Sequence, residues 1–242
     1  MNPELFAEVD RYIADLLAPQ DDALRSTIES LDKAGMPQHS VSPNQGKLLY
    51  TLALLCNARN ILEIGTLGGY STIWLARALP NDGRLISLEY NSLHAKVARQ
   101  NITRAGLESK VEIRVGKAIE LLPQIEREAR RTCVGECNRV VESETITPFD
   151  LIFIDADKPA YTEYFQWAVK LARPGALIIA DNVIREGKVL DTNSEDEKVI
   201  GVQRFNEMLA TNPNVTATIL QTIGIKGYDG MAITLVNQNS TL

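Results

Sequence analysis

Residues 153–158 read Phe-Ile-Asp-Ala-Asp-Lys and end an apolar, β-prone run that starts after Asp150. A second apolar run, at residues 176–180, ends in Asp181 and Asn182. Buried strands that carry oxygen donors at their carboxyl ends are typical of a parallel sheet with a ligand site along that edge. Carboxylate and amide oxygens, without histidine or cysteine, suit a hard cation such as Mg²⁺. These two segments therefore predict a metal site beside a cofactor in an α/β fold.

Short apolar, β-prone runs alternate with amphipathic helical patterns from residue 60 to the end of the chain. The predicted strands are residues 61–64, 84–88, 111–115, 151–154, 176–180, 215–220 and 231–236. Repeated strand–helix units predict a doubly wound α/β fold, with a mostly parallel, Rossmann-like sheet and helices on both faces. The glycine-rich connection at residues 224–230 is too short for a crossover helix, so we expect the last two strands to be antiparallel.

The length of 242 residues suits one large α/β domain, and we expect a single domain over residues 1–242. Residues 1–57 are predicted to form a helical cap, and residues 58–242 the α/β core. The cap contains amphipathic helical patterns within residues 3–34, which must cover the core, a partner subunit or both. Residues 131–148 have little periodicity and are predicted to be an inserted loop at the amino edge of the sheet, away from the site.

The composition indicates a globular protein without a basic face. The net charge of −6 does not favour nucleic acid as a partner. Apolar runs are broken by charge too early for a membrane span, and residues 1–10 lack the pattern of a secretory signal. We therefore expect a cytoplasmic protein with no nucleic-acid and no membrane partner. Cys56 is expected to be a core residue, and Cys133 and Cys137 are expected to be free thiols rather than zinc ligands.

The first strand runs into a turn that reads Glu-Ile-Gly-Thr-Leu-Gly-Gly-Tyr-Ser at residues 63–71. Its glycines allow a tight turn and the close approach of a ligand. A plain connection from strand to helix is the alternative interpretation. Glu63 at the start of the turn, and Glu89 at the end of the next strand, where a ribose-binding carboxylate is expected, favour a nucleoside cofactor. Leu67 breaks the dinucleotide fingerprint, and no Gly-Lys-Ser/Thr sequence for a nucleoside triphosphate follows.

Several of these motifs, in this order, resemble the cation-dependent class I O-methyltransferases, the group that includes the catechol and caffeoyl-CoA O-methyltransferases. The resemblance covers nearly the whole chain. It is carried by Val41-Ser42-Pro43-Asn44-Gln45-Gly46, Leu62-Glu63-Ile64-Gly65-Thr66, Gly69-Tyr70-Ser71, Phe153-Ile154-Asp155-Ala156-Asp157-Lys158, Asp181-Asn182 and Gly227-Tyr228-Asp229-Gly230. The resemblance implies a class I methyltransferase fold with S-adenosylmethionine as cofactor. Together with the N-terminal helices it suggests a homodimer.

The resemblance also implies roles for residues at the matching positions. Asp155, Asp181 and Asn182 would bind Mg²⁺, or another divalent cation such as Mn²⁺ or Ca²⁺. Lys158 would be catalytic together with Asp155. Glu89 would accept the ribose hydroxyls of the cofactor. The S-adenosylmethionine site as a whole would be formed by Val41, Glu63, Gly65, Thr66, Gly69, Ser71, Glu89, Ala118, Asp155, Asp157 and Tyr164.

The chemistry of these residues predicts methyl transfer to a hydroxyl of a small, catechol-type aromatic vicinal diol. A hydroxyl is a poor nucleophile at neutral pH, and a divalent cation bound by two adjacent substrate oxygens lowers its pKa. Lys158 would take the proton if the cation depresses the lysine pKa, or would hold the forming phenolate by charge. The alternatives are that Asp155 and Asp181 cap helices and that Lys158 is a solvated surface residue.

Two other functions remain open at this point. A nicotinamide-dependent oxidoreductase would use the same fold, although Leu67 counts against it. A cofactor-binding protein without catalysis, which acts by assembly, is the other possibility. The presence together of Asp155, Asp181, Asn182 and Lys158 counts against that function. The basic residues of the N-terminal segment are few, which weakens the case for a coenzyme A ester as substrate.

Overall fold

The structure is a computed structural model that describes residues 2–130 and 148–238. These residues form a seven-stranded sheet in the order β3-β2-β1-β4-β5-β7-β6, flanked by helices. The strands are β1 Asn60–Ile64, β2 Arg84–Glu89, β3 Val111–Val115, β4 Phe149–Ile154, β5 Ala172–Asp181, β6 Val215–Gly224 and β7 Gly227–Val236. The helices are α1 Pro3–Leu17, α2 Asp22–Lys33, α3 Pro43–Leu55, α4 Tyr70–Ala78, α5 Ser92–Arg104, α6 Ala118–Arg130, α7 Tyr161–Leu171 and α8 Glu197–Thr211.

The strand directions confirm the predicted doubly wound arrangement. Strands β3, β2, β1, β4 and β5 are parallel to one another. Strand β7 lies between β5 and β6 and runs antiparallel to both. The order of the strands reverses between β1 and β4, which are hydrogen-bonded to each other. Ligands of such sheets bind beyond the carboxyl ends of the strands at this reversal. The turns that follow β1, β2, β4 and β5 are therefore the place for a site.

Two apolar cores cover the two faces of the sheet. Side chains alternate between the faces along a strand, so Ile152 and Ile154 belong to one core and Leu151 and Phe153 to the other. The first core is completed by residues of α6, α7 and α8, and the second by residues of α2, α3, α4 and α5. Since both faces are covered, the central strands β1, β2 and β4 are buried almost throughout, whereas the edge strand β3 and the first half of β5 are more exposed.

Helices α1 and α2 lie within residues 3–34, where the sequence predicts helical patterns, and α3 follows them. Ser42 caps α3 with Pro43 at its first position, and Ser42 and Gln45 form a reciprocal capping box. In the part of the chain that the structure describes, no helix is long and apolar enough to cross a membrane. Residues 131–147 lie outside the described residues, so the inserted loop at 131–148 and the thiols of Cys133 and Cys137 stay predictions.

The prediction that residues 224–230 only connect two strands is wrong. Strands β6 and β7 continue to Gly224 and Gly227, which pair with each other and leave a two-residue turn between them. Gly227 adopts a φ of 87°, a conformation that glycine adopts without strain. The glycines and polar residues of this segment suggest a loop, but the backbone ladder continues because it needs only N–H and C=O groups. The result is a long hairpin that extends beyond the sheet.

Candidate active site

The turn after β1 lies directly against the end of β4. Gly65 has a φ of 99°, and a Cβ atom placed there would lie 2.1 Å from the carbonyl oxygen of Asp155. Only glycine fits both the conformation and the space. The Asp155 N–H donates to the carbonyl of Ile64 at 2.9 Å, which fixes the two strand ends relative to each other. The predicted cofactor turn and the first predicted metal ligand are therefore in backbone contact.

Glu63 is fully buried beneath this turn and orders it from below. Its carboxylate accepts hydrogen bonds from the hydroxyls of Ser71 and Ser87, both at 2.6 Å, and from the hydroxyl of Thr72. Burial raises the pKa of Glu63 to about 7, against the lowering effect of these three donors. Because the side chain is enclosed, its contribution to a cofactor site is made through Ser71. The sequence pattern suggests the turn but does not reveal this hydroxyl cluster.

Glu89 lies at the end of β2 and forms hydrogen bonds with three segments of the chain. Its carboxylate accepts from the backbone N–H groups of Leu67 at 2.8 Å, Thr66 at 3.2 Å and Asn91 at 2.8 Å. Its own carbonyl accepts from Gly116 in the turn that leads to Ala118 at the start of α6. A carboxylate has about four acceptor positions, so beside these three donors one position remains for a ribose hydroxyl, and a second hydroxyl would share an oxygen with a backbone N–H group. The structure thus brings the predicted ribose-binding and adenine-binding positions to one edge.

Asp155 directly follows β4, and Asp181 is the last residue of β5. The two strands are adjacent and parallel, and Ile154 pairs with Ala180. Asp181 is buried, and its carboxylate accepts from the Asn182 N–H at 2.9 Å and from the Gln45 side-chain amide at 3.3 and 3.4 Å. Burial raises the pKa of Asp181, and the negative charge of Asp155 raises it further. Two carboxylates held close together at strand ends are therefore a place where a bound cation would relieve repulsion.

The donor set fits a hard divalent cation. Asp155, Asp181 and Asn182 supply two carboxylates and one side-chain amide oxygen, which are the ligand types that Mg²⁺, Mn²⁺ and Ca²⁺ prefer. Among residues 2–130 and 148–238, no group of three His, Cys, Asp or Glu side chains is placed to hold a metal ion. The alternative that the two aspartates cap helices is not supported, because no helix begins directly after either of them.

Lys158 is buried at the same edge, so the alternative of a solvated lysine is wrong. Its Nζ atom donates to the Asp155 carboxylate at 2.9 Å and to the Tyr161 hydroxyl at 2.6 Å. Burial by itself lowers the pKa of Lys158, but Asp155 and Tyr161 outweigh that effect and hold the pKa above its ordinary value. Lys158 is thus a buried ammonium group in this arrangement.

The remaining predicted cofactor residues lie around the same edge. Asp157 is exposed and accepts from the hydroxyl of Tyr164 at 2.5 Å. Val41 is buried in the core that includes α3 and α4, immediately before the cap of α3. Gly69 has a φ of 84° and forms the start of α4, where the N–H groups of the first turn can bind an anion. The cofactor-binding roles of all three stay predictions.

The β6–β7 hairpin, the segment before α3 and the segment after β5 lie together at the outer edge of the site. Lys226 in the β6–β7 turn donates to the carbonyl of Gln38 at 3.1 Å, and burial lowers the Lys226 pKa. Asp229 accepts from the backbone N–H groups of Ile184 and Arg185, each at 2.9 Å. The hairpin therefore ties together the segment before α3 and the segment after β5.

Proteins of known structure identify the class. The O-methyltransferase from Bacillus cereus, solved in complex with SAH, is 49% identical, covers 98% of this chain and 100% of its own, and gives a TM-score of 0.89. The O-methyltransferase TomG from Streptomyces achromogenes, involved in tomaymycin synthesis and solved with SAM, is 45% identical with a TM-score of 0.88, covering 98% of this chain and 100% of its own. The fold is thus that of the Rossmann-like methyltransferases.

The sequence comparison narrows this class. The O-methyltransferase family model matches residues 17–237, and the chain belongs to this family. A catechol O-methyltransferase from Niastella koreensis is 60% identical over 236 residues, which cover 98% of this chain and 100% of the relative. The predicted family and the prediction of an S-adenosylmethionine-dependent O-methyltransferase are therefore confirmed. A nicotinamide-dependent oxidoreductase and a non-catalytic protein are not retained.

Proposed function

We propose that this chain catalyses the divalent-cation-dependent transfer of a methyl group from S-adenosylmethionine to one hydroxyl of a small aromatic vicinal diol, with Mg²⁺ as the preferred cation. The observation that carries the proposal is the meeting of Asp155, Asp181 and Lys158 at adjacent strand ends, in contact with the Gly65 turn. The name of the Niastella koreensis relative supports a catechol-type substrate.

The proposed cofactor site is built by the turns after β1, β2 and β3. When bound, S-adenosylmethionine supplies a methyl group that its sulfonium activates for displacement. Glu89 would accept the ribose hydroxyls, while Ser71, oriented by Glu63, would face the cofactor carboxylate. Ala118 would lie beside the adenine. The full proposed set is Val41, Glu63, Gly65, Thr66, Gly69, Ser71, Glu89, Ala118, Asp155, Asp157 and Tyr164.

The proposed cation site consists of Asp155, Asp181 and Asn182. When bound, the cation would lower the pKa of a coordinated diol hydroxyl and orient both diol oxygens. Gln45 orients Asp181 through its side-chain amide, and the Asn182 N–H fixes one carboxylate oxygen. These contacts reduce the freedom that Asp181 must lose when it binds a metal ion.

Lys158 has the proposed catalytic role, with Asp155 as its charged partner. An ammonium group has three donors, and Asp155 and Tyr161 use two of them. The third is available to an oxygen that gains negative charge during the reaction. Lys158 would either hold this oxygen by charge or accept its proton. The walls of the substrate site are proposed to come from residues 36–41, 185–196 and 224–229.

Transfer of labelled methyl groups to a panel of catechols tests this function. The expected result is labelled product in Mg²⁺ and none after addition of EDTA. An Asp155→Ala variant should lose more than about 100-fold in kcat, whereas Asp82→Asn, an exposed carboxylate, serves as a control that should keep wild-type kcat. No transfer to any diol would contradict the function, and full transfer in EDTA would contradict the cation requirement.

We also propose that the chain forms a homodimer through α1 and its surroundings. The face of α1 that packs on the protein carries Phe6, Ala7, Asp10 and Ala14, whereas its opposite face is apolar and exposed. That exposed face consists of Leu5, Val9, Tyr12, Ile13, Leu16 and Leu17. The neighbouring edge strand β6 also exposes apolar side chains and unpaired backbone groups. A second copy would cover a face that is large for a monomer.

The single domain over residues 1–242, with a helical cap at 1–57 and a core at 58–242, remains our proposal, as does a cytoplasmic location. Limited proteolysis tests the first point. A single protected fragment that includes the cap supports one domain, and a stable core that releases the cap contradicts it. Fractionation of the source cells tests the location, with recovery in the membrane or secreted fraction as the contrary result.

A further inference from the structure

We propose that Tyr161 is a positioning residue, which fixes the Lys158 ammonium group and the ends of β4 and β5 through one buried hydroxyl. This inference rests on the proposed function, since it assigns a task to the neighbour of the proposed catalytic lysine. The hydroxyl oxygen of Tyr161 lies within hydrogen-bond distance of the Lys158 ammonium group and of the last carbonyl groups of β4 and β5.

The contacts of this hydroxyl define its role. It accepts a hydrogen bond from Lys158 Nζ at 2.6 Å and donates to the main-chain carbonyl of Asp181 at 2.9 Å. The carbonyl of Ile154 lies 3.3 Å from the same oxygen. The phenol therefore bridges the last residues of two adjacent strands, from which Asp155 and the side chain of Asp181 project. A displacement of either strand end would also displace the lysine.

The ring of Tyr161 cannot move to follow such a displacement. Tyr161 is fully buried, and its ring packs edge-on against Phe205, with centroids 5.6 Å apart and planes at 80°. Helix α8 also fixes the lysine backbone, because a Cβ atom on Gly201 would lie 2.5 Å from the Lys158 carbonyl oxygen. Packing of this density allows no alternative rotamer for the ring. The hydroxyl is thus a rigid acceptor at a defined place.

Loss of the hydroxyl would leave Lys158 with one of its two hydrogen-bond partners in the described part of the chain. Asp155 alone would then direct the ammonium group, and the direction of the free N–H would no longer be fixed. A misplacement of about 1 Å in a catalytic group can reduce the rate by about 100-fold. The structural alternative is that the hydroxyl only satisfies buried carbonyls. In that case its loss lowers stability without a specific effect on Lys158.

The test uses Tyr161→Phe, which keeps the ring and removes only the oxygen. We expect kcat for a catechol to fall about tenfold or more, while KM for S-adenosylmethionine stays within about twofold. In a Lys158→Met background, Tyr161→Phe should cause a much smaller loss of kcat than in the wild type, because only its contacts with the two strand ends are then lost. Phe149→Leu is the matched control, since Phe149 is a buried core residue at the amino end of β4, the opposite end of the strand from Asp155. It should lower the melting temperature and keep kcat within about twofold.

Each contrary result has a distinct meaning. If the wild-type chain transfers no methyl group, the proposed function fails. If the wild type is active and Tyr161→Phe has the same kcat, the positioning role fails. Equal losses of kcat for Phe149→Leu and Tyr161→Phe, or a loss in the Lys158→Met background as large as in the wild type, would reduce Tyr161 to a packing role.

A melting-temperature cycle provides a measurement that does not depend on residual activity. Tyr161→Phe should lower the melting temperature more in the wild type than in the Lys158→Met background. The reason is that only the wild type leaves a buried ammonium group without its second partner. Equal shifts in the two backgrounds would overturn the coupling between Tyr161 and Lys158, even if the Lys158→Met variant proves inactive.

Discussion

Gly65 is the residue at which the proposed cofactor turn and the proposed cation site meet, and its side chain is a single hydrogen atom. Its φ of 99° and the Asp155 carbonyl 2.1 Å from a virtual Cβ exclude every other residue type. The sequence predicts a glycine turn here, because three glycines follow a strand. It does not predict which glycine touches the neighbouring strand, since that contact spans about ninety residues of chain.

A Gly65→Ala variant should therefore lose both stability and activity. The added methyl group strains the backbone and pushes Asp155 away, so we expect a loss of at least about 2 kcal/mol in unfolding free energy. We expect a fall in kcat of more than about 100-fold. Urea denaturation and methyl-transfer assays measure the two effects. Gly106→Ala is the control, because Gly106 also has a positive φ, of 69°, but has open space around it. Equal losses in both variants would show that strain alone is responsible.

The buried Glu63 makes the stability of the protein depend on pH. Its folded-state pKa of about 7 lies above the ordinary value of 4.5, so the folded protein holds this proton more tightly than the unfolded chain. The contribution of Glu63 to the free energy of unfolding is most favourable below pH 4.5. It is lost as the pH rises to about 7, which lowers the free energy of unfolding by on the order of 3 kcal/mol.

A Glu63→Gln variant lacks this titration. We expect its unfolding free energy, relative to that of the wild type, to increase between pH 5 and pH 8, as measured by urea denaturation across this range. Exposed Glu207→Gln should show no such trend. A constant difference between Glu63→Gln and wild type at all pH values would mean that the carboxyl group is ionised throughout.

At the scale of elements, periodicity predicts most of the molecule. The helices and the parallel strands lie within a few residues of their predicted positions, because apolar spacing and glycine or proline stops are local signals. The hairpin at 224–230 is the exception, since its pairing depends on the backbone and not on side-chain pattern. The contact between Gln45 and Asp181 could not be predicted either. The capping box of α3 is visible in the sequence, but its second partner is 136 residues away.

Gln45 links the start of α3 to the proposed cation site, and substitution by glutamate separates its two roles. Gln45→Glu keeps the acceptor for the Ser42 N–H and adds a negative charge beside Asp181. We expect a lower melting temperature without metal and a larger stabilisation by Mn²⁺ than in the wild type, because a third carboxylate repels the other two and attracts the cation. Differential scanning fluorimetry with and without Mn²⁺ measures both effects.

A glutamine-to-glutamate substitution far from Asp181 shows whether the change in Mn²⁺ stabilisation depends on the position of the added charge. Gln100 is exposed on α5, and Gln100→Glu should leave the Mn²⁺-dependent shift unchanged. If Gln45→Glu and the wild type gain the same stabilisation from Mn²⁺, Gln45 does not act on a cation site. If Mn²⁺ stabilises neither protein, the proposed cation site itself is contradicted.

At the scale of the whole molecule, Asp10 is one of the residues that join the N-terminal cap to the hairpin. Asp10 on α1 accepts from the Ile225 N–H at 2.9 Å, and its carbonyl accepts from the Asn44 side chain at 2.8 Å. The sequence predicts that the amphipathic N-terminal helices cover something. The sequence does not predict which face of α1 packs on the protein, because the packing of α1 depends on the shape of β6 beneath it. In the structure, the apolar face of α1 points outward.

The outward apolar face predicts the effect of a charge placed on it. Leu16 is 60% exposed, so Leu16→Glu should fold normally and convert a dimer into a species with the mass of one chain, 26.8 kDa. Sedimentation equilibrium measures the mass, and Asp15→Asn on the same helix should leave it unchanged. A wild-type mass of one chain would refute the dimer, and a Leu16→Glu dimer would place its interface elsewhere.

The contact between Gly65 and Asp155 has a consequence for redesign of this protein. On the proposed assignment, the methyl donor and the cation that holds the acceptor are spaced by a main-chain contact, which substitutions of the surrounding side chains do not lengthen as long as Gly65 is kept. The segments at residues 36–41, 185–196 and 224–229 contact one another at the rim through hydrogen bonds from Lys226 and to Asp229. On this assignment, acceptor choice can be engineered at the rim, while the distance over which the methyl group is transferred is the same in every variant that keeps Gly65.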